Sequence, residues 1–186
     1  MNNSVQIETE FTPNPHSLKF NLNRQLLTSG DSAYFASKEA AENSPLAKKL
    51  FTISNVEGVL IGQDFVTISR NPSVETWASI IPPVTKALKQ HLESGEEITL
   101  PDSTVHSKIA ESEVEKKIRT VLDQRIRPAV ARDGGDIIFH GFKEGVVTLH
   151  LQGACSSCPS STATLKAGVE RMLREYIPEV KEVIQL

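Results

Sequence analysis

The chain alternates between two hydrophobic periodicities, which together predict an α+β fold. Residues 5–11 alternate apolar and polar positions, as a half-buried strand does, and the alternation resumes at residues 18–22. Because residues 12–15 hold two prolines and an asparagine, we expect a turn there and therefore a hairpin at the start of the chain. A second pair of strands is predicted within residues 53–69, with its turn at residues 62–64.

Apolar residues at helical spacing predict two helices in the same half of the chain. A short helix is expected within residues 37–50, with Ser44 as its cap and Pro45 at its first position. Residues 74–92 predict a longer helix that kinks or restarts at two adjacent prolines, because proline disrupts a helix interior. The only tryptophan, Trp77, is expected to anchor the core beneath this helix.

A polar segment without periodicity, residues 94–112, predicts a linker between two small α+β domains. The first domain would comprise residues 1–93 and the second residues 113–186. Ser112 and Glu115 form a capping-box pattern, so that a helix is expected to open the second domain.

The order α-β-β-α-β is predicted for the second domain. Pro128 should distort the end of the first helix, and the two glycines that follow Asp133 should stop it. Strands are expected at residues 137–142 and 145–151, joined by a tight turn at Lys143 and Glu144. A helix ending near Tyr176 and a closing strand over residues 180–186 complete the order.

Composition excludes several classes of function. The formal net charge is −3, so no basic surface points to nucleic acid or to an anionic membrane. Of the 186 residues, 39% are hydrophobic, a share that is ordinary for a globular protein. No apolar run approaches the roughly 20 residues that span a bilayer. The amino terminus resembles neither a signal peptide nor a transit peptide, and we therefore expect a reducing compartment.

The candidate chemistry lies in Cys155 and Cys158, the only two cysteines of the chain. They follow a predicted strand and precede a predicted helix, in which Pro159 suits an early position. The start of a helix favours anionic sulfur, because its backbone N–H groups are unpaired and its dipole is positive there. Such an exposed loop is expected to hold both thiolates outward, for a metal or for a redox partner.

Three chemistries suit a single Cys-x-x-Cys pair. A zinc site needs about four ligands, so that a zinc-stabilised adaptor protein would need further donors. A thioredoxin-like thiol–disulfide pair also sits at a strand-to-helix junction, but a hairpin rather than a βαβ unit is predicted before these cysteines. An iron–sulfur cluster is commonly held by four thiolates, and one chain supplies two. A second chain or a partner protein would then supply the others.

The second domain carries a family resemblance. Its segments Asp133–Asp136 and Leu151–Pro159, followed by Ser161, Thr162 and Thr164–Lys166, resemble the C-terminal domain of the NifU/Nfu iron–sulfur cluster proteins. The opening segment Phe11–Phe20 resembles the N-terminal domain of Nfu proteins. The family often has two glycines between the cysteines, where this chain has two serines.

The resemblance implies a scaffold or carrier of iron–sulfur clusters that is not an enzyme. Cys155 and Cys158 would ligate a 4Fe-4S cluster shared by the two subunits of a homodimer, which would pass it to apo-proteins. Cluster assembly factors are the other expected partners. Lys166 and Arg171 are expected on the solvated face of the last helix, with the steering of an acidic client as the alternative.

Four further polar residues receive ordinary structural interpretations. His140 and His150 are expected as side chains on the polar face of the two strands. Asp133 and Asp136 are assigned to turn and cap chemistry, because no nucleophile or histidine is placed with them. A bacterial cytoplasm is the expected compartment and a mitochondrial matrix the alternative, against which the initiating methionine argues.

Overall fold

The computed structural model describes residues 4–27, 32–96, 98, 112–156 and 159–186, with the backbone alone for residues 159–162. The chain divides into two compact units, Met1–Thr104 and Val105–Leu186. Most of the predicted linker lies outside the described residues, so that the predicted domain boundaries stay a prediction.

The first unit is an antiparallel sheet with helices packed on one face. Its strands are arranged in the order β1-β2-β5-β4-β3. Side chains from the sheet and from both helices share one buried cluster, which includes Trp77 as predicted. The elements are β1 (Ile7–Phe11), β2 (Ser17–Leu22), β3 (Ala33–Phe35), α1 (Pro45–Leu50), β4 (Val56–Ile61), β5 (Phe65–Arg70) and α2 (Ile81–Ser94).

Both hairpins predicted for this unit are confirmed. Strands β1 and β2 pair antiparallel across the proline-rich turn, with Phe11 opposite Leu18. Strands β4 and β5 also pair antiparallel, and the Gly62 N–H donates to the Phe65 carbonyl at 2.8 Å. Strand β3 is an edge strand of three residues, too short for its alternation to be recognised in the sequence.

The helix boundaries of the first unit differ from the prediction at the prolines. Helix α2 begins at Ile81 rather than at residue 74, with Pro82 and Pro83 in its first turn. Proline fits there because the first N–H groups of a helix have no intrahelical partner. Pro45 begins α1 as predicted, but the hydroxyl of Ser44 makes no capping hydrogen bond.

The second unit has the predicted order α-β-β-α-β. Its sheet has the order β6-β7-β8, with β7 antiparallel to β6 and parallel to β8. Inward side chains of the sheet and of its helices form one buried cluster. The elements are α3 (Glu113–Val121), a π-helical turn (Leu122–Ile126), α4 (Arg127–Arg132), β6 (Gly135–Lys143), β7 (Val146–Gly153), α5 (Pro159–Tyr176) and β8 (Glu182–Gln185).

Local signals account for most boundaries in this unit. The capping box of Ser112 and Glu115 is present, and the distortion predicted at Pro128 takes the form of the π-helical turn just before α4. Gly134 ends α4 with a φ of 76°, a conformation that glycine adopts without steric penalty. The predicted turn at Lys143 and Glu144 is wrong by one residue, since Glu144 and Gly145 form it, both with positive φ.

Candidate cysteine site

Cys155 lies in a turn that directly follows the central strand of the second unit. Strand β7 ends at Gly153, and the Ser156 N–H and hydroxyl both donate to the Gly153 carbonyl, at 3.2 and 2.8 Å. The Ala154 N–H donates to the Gly134 carbonyl at 3.1 Å. Hydrogen bonds therefore connect Ser156 of the turn to the end of β7, and Ala154 to the segment that leads into β6.

The sulfur of Cys155 points into the domain rather than outward. The residue is 4% exposed and belongs to the buried cluster of the second unit. Gly135, the first residue of β6, lies against it: a Cβ on Gly135 would stand 2.5 Å from the Cys155 Sγ. The expectation that an exposed loop holds this thiolate outward is therefore wrong, because a glycine leaves the space that the sulfur fills.

The second predicted ligand, Cys158, lies outside the described residues, and so do the side chains of the three hydroxyl residues that follow Pro159. The assignment of Cys155 and Cys158 as ligands therefore stays a prediction. The backbone of α5 begins at Pro159, as the sequence suggests.

Asp136 takes part in an ion pair that the sequence did not reveal. Its carboxylate accepts two hydrogen bonds from Arg127, from Nε at 2.9 Å and from Nη2 at 2.8 Å. Asp136 is 5% exposed, whereas Asp133 is exposed at the end of α4. The turn-and-cap interpretation is thus wrong for Asp136, since only the fold brings a side chain nine residues away into bidentate contact.

The same ion pair further stabilises the charged form of Arg127. Burial of the guanidinium opposes its charge, but the hydrogen bonds and negative charge of Asp136, and then of Asp123, outweigh it and raise the pKa of Arg127. Asp123 lies one helical turn earlier, with its Oδ1 at 3.2 Å from the Arg127 Nη1. The pair joins α4 to the start of β6, one residue from the glycine that contacts Cys155.

The remaining candidates lie away from the cysteine turn. His140 and His150 are on the polar face of β6 and β7, as predicted, with their rings in a T-shaped contact. On α5, Arg171 is exposed and Lys166 is half-buried. No group of three or more histidine, cysteine or acidic side chains that would hold a metal occurs among the residues with described positions. No described helix has the length and apolar character that crossing a membrane requires.

Both units match known families. The model of the "NifU-like domain" matches residues 118–184, within the second unit, and that of the "Scaffold protein Nfu/NifU N terminal" matches residues 7–95, within the first.

Curated relatives match almost the whole chain. The "NFU1 iron-sulfur cluster scaffold homolog, mitochondrial" of Drosophila erecta is 45% identical over 98% of this chain, and that of Drosophila simulans is 44% identical over the same share. The chain spans 65% of the length of each. Among solved structures, the NifU-like protein of Saccharomyces cerevisiae is 33% identical, with a TM-score of 0.47 over 53% of this chain and 88% of that one.

The two family matches cover successive parts of the chain, in the order in which the resemblances were recognised in the sequence. The α+β architecture of both units agrees with them. The chain therefore belongs to the NifU/Nfu family, with an Nfu-type N-terminal domain followed by a NifU-like domain.

Proposed function

We propose that this chain is an iron–sulfur cluster scaffold and carrier. Two copies would hold one 4Fe-4S cluster between their Cys155 and Cys158 side chains and pass it to apo iron–sulfur proteins. The observation that carries the proposal is the Cys-x-x-Cys pair between β7 and α5, in a chain whose relatives are named iron–sulfur cluster scaffold homologs.

One chain supplies half of the thiolate ligands that such a cluster needs. Thiolate sulfur is the usual ligand of iron–sulfur clusters, which commonly take four, and the whole chain has two cysteines. A second copy related by a two-fold axis would contribute an identical pair, as the self-complementary interface of a homodimer allows. The cluster is cargo in this proposal, so that a shared and accessible position suits its release.

Because the sulfur of Cys155 points inward, binding of a cluster would require a change in the position of this side chain. In the described conformation its sulfur packs against Gly135 and within the buried cluster. Ligation would turn this sulfur toward the second copy. The free chain would thus keep one thiol shielded from solvent, where oxidation and unspecific metal binding are slow.

The proposed activity is stoichiometric transfer rather than catalysis, so we do not assign an enzymatic reaction. The relatives are named mitochondrial proteins, which favours the mitochondrial alternative over the expected bacterial cytoplasm. Apo iron–sulfur proteins and cluster assembly factors are the proposed partners.

Anaerobic reconstitution with iron and sulfide tests the proposal. We expect about two irons and two sulfides per chain, a broad visible absorption, and conversion of the chain to a dimer on loading. Cys155→Ala and Cys158→Ala should each abolish cluster retention, while circular dichroism reports whether each variant is folded. A cluster retained in full by either folded variant, or a loaded chain that stays monomeric, would contradict the proposal.

The same preparation separates the two alternatives. A thiol–disulfide protein would reduce disulfides with catalytic turnover in the absence of metal. A zinc-stabilised adaptor would retain zinc through purification and lose folding stability on chelation. Transfer of the reconstituted cluster to an apo-ferredoxin, followed by the recovery of the acceptor's spectrum, is expected of the carrier alone.

A further inference from the structure

Strand β1 lies at an edge of the first unit's sheet, and its outer side has no neighbouring strand among the described residues. Ile7 is half-buried, and the other four residues of the strand are exposed. Phe11, the last of them, is 80% exposed, the highest value among the large hydrophobic side chains with described positions. It also begins the Phe11–Phe20 motif, to which the proposed cluster chemistry gives no role.

The hydrogen bonds of the sheet show which backbone groups of β1 face outward. Leu22 of β2 donates its N–H away from β1, to the Asp64 carbonyl at 2.8 Å. Ile7, which is opposite Leu22, is therefore in a non-hydrogen-bonded pair, and its own N–H and C=O face the open edge. Alternation along the strand gives the same direction to Thr9 and Phe11. These outward groups form no backbone hydrogen bond in the described part of the chain.

The side chains of β1 give the two faces of this edge different chemistry. Phe11 is opposite Leu18 of the buried cluster, so it lies on the face that the helices cover. Glu8 and Glu10 lie on the other face, and both are exposed. Lys19 approaches the Glu10 carboxylate at 3.7 Å, whereas Glu8 has no ion-pair partner among the residues that the structure describes. A strand added here would meet an aromatic ring on one face and negative charge on the other.

A second copy of β1 is a poor occupant of this edge. Antiparallel pairing of two copies centred on Thr9 would place Glu8 opposite Glu10. Pairing centred on either glutamate would place that residue opposite its own copy. Like charges directly opposite each other destabilise a strand pair, and opposite charges stabilise it. The edge therefore favours a different chain that carries positive charge.

We propose that the open edge of β1 binds an extended segment of another protein, in which apolar residues alternate with lysine or arginine. The segment would add a further strand and would bond to the outward backbone groups of Ile7, Thr9 and Phe11. Its apolar side chains would pack beside Phe11, and its cations would lie beside Glu8. The surface belongs to the unit that has no cysteine, so the inference does not depend on the proposed function.

The test uses the full chain and two labelled synthetic peptides, one of alternating valine and lysine and one of alternating valine and glutamate. Fluorescence anisotropy should show binding of the lysine peptide and about tenfold weaker binding of the glutamate peptide. Amide hydrogen exchange, followed by NMR, should slow at Ile7, Thr9 and Phe11 when the lysine peptide binds. The amides of Glu8 and Glu10 should change little, because they are already bonded to β2.

Three variants separate strand addition from simple charge attraction. Thr9→Pro removes an outward N–H and leaves the bonds to β2, since proline is tolerated at a sheet edge, and it should weaken binding of the lysine peptide about tenfold. Glu8→Lys should weaken the same binding about fivefold and strengthen that of the glutamate peptide. Glu42→Lys makes the same change in net charge at an exposed position outside β1 and should alter neither.

Thermal melting reports whether each variant stays folded. Equal effects of Glu8→Lys and Glu42→Lys would overturn the proposal, because the peptide would then respond to net charge alone. Unchanged affinity in folded Thr9→Pro would overturn it as well. Protection of Ile7, Thr9 and Phe11 that grows with protein concentration in the absence of peptide would identify a second copy as the occupant, again contrary to the proposal.

Discussion

Gly135 and Cys155 come into contact across nineteen residues of intervening sequence, and the contact requires that residue 135 have no side chain. An added Cβ would stand 2.5 Å from the Cys155 Sγ and 3.0 Å from the Gln152 carbonyl. The second glycine after α4 is thus a packing partner of the cysteine turn and not simply part of a helix stop.

Gly135→Ala should displace Cys155 and change the loading of the cluster. Overpacking of this kind typically costs about 1–3 kcal/mol, so we expect a lower melting temperature and reduced cluster occupancy after reconstitution. Gly141→Ala is the matched control on the same strand, because its added methyl group meets no atom within 4 Å. Equal cluster occupancy in the two variants would show that Gly135 does not position the cysteine.

Asp136→Asn should destabilise the second unit by about 3 kcal/mol, because it leaves the partly buried guanidinium of Arg127 without its bidentate acceptor. Asp133→Asn makes the same chemical change at an exposed position three residues earlier and should alter stability by less than about 0.5 kcal/mol. Urea unfolding of both variants measures the difference, and similar midpoints would disprove the structural role assigned to Asp136.

Acidification should destabilise the first unit through His91. Burial lowers the pKa of His91, Lys49 adds to the lowering, and Glu96, whose Oε2 is 3.4 Å from Nδ1, partly opposes it. The folded chain then binds fewer protons than the unfolded chain at a pH between this lowered pKa and the ordinary value of about 6.5. The unfolding free energy should therefore fall as the pH drops through about 6.5.

His91→Gln should reduce that dependence, because an amide does not titrate. Melting of the full chain and of the variant at several pH values between neutral and mildly acidic gives the two slopes. Identical slopes would mean that His91 does not cause the loss of stability.

The surroundings of Arg70 predict different effects on stability for its substitution by methionine and by alanine. The residue is 8% exposed and lies over the Trp77 ring at 5.1 Å, and its Nε and Nη1 have no hydrogen-bond partner in the described part of the chain. Arg70→Met keeps an aliphatic stem over Trp77 and removes a buried charge, so stability should be unchanged or higher. Arg70→Ala also removes the stem and should cost about 2 kcal/mol. Equal losses in denaturant unfolding would refute this interpretation.

The features that the sequence predicted correctly depend on neighbours along the chain. Alternation of apolar residues identified the strand pairs, and the capping box of Ser112 and Glu115 identified the start of α3. The family was also recognisable, because its motifs at Phe11–Phe20 and around the two cysteines are contiguous.

The features that the sequence did not predict depend on contacts across the fold. Arg127 and Asp136 are nine residues apart with no periodicity between them, so that only the packing of α4 on β6 identifies their ion pair. The burial of Cys155 likewise follows from its contact with Gly135. Proline chemistry allows either a helix start or a kink, and the packing of the first unit selects the start for Pro82 and Pro83.

Strand β7, which leads into Cys155, has hydrogen-bonded neighbours on both of its sides. A shift of β7 along its own axis would break the backbone hydrogen bonds to both neighbouring strands at once. The strand therefore holds the start of the turn that contains Cys155 in a fixed position. Under the proposed function, binding of a cluster would therefore leave the register of this sheet unchanged.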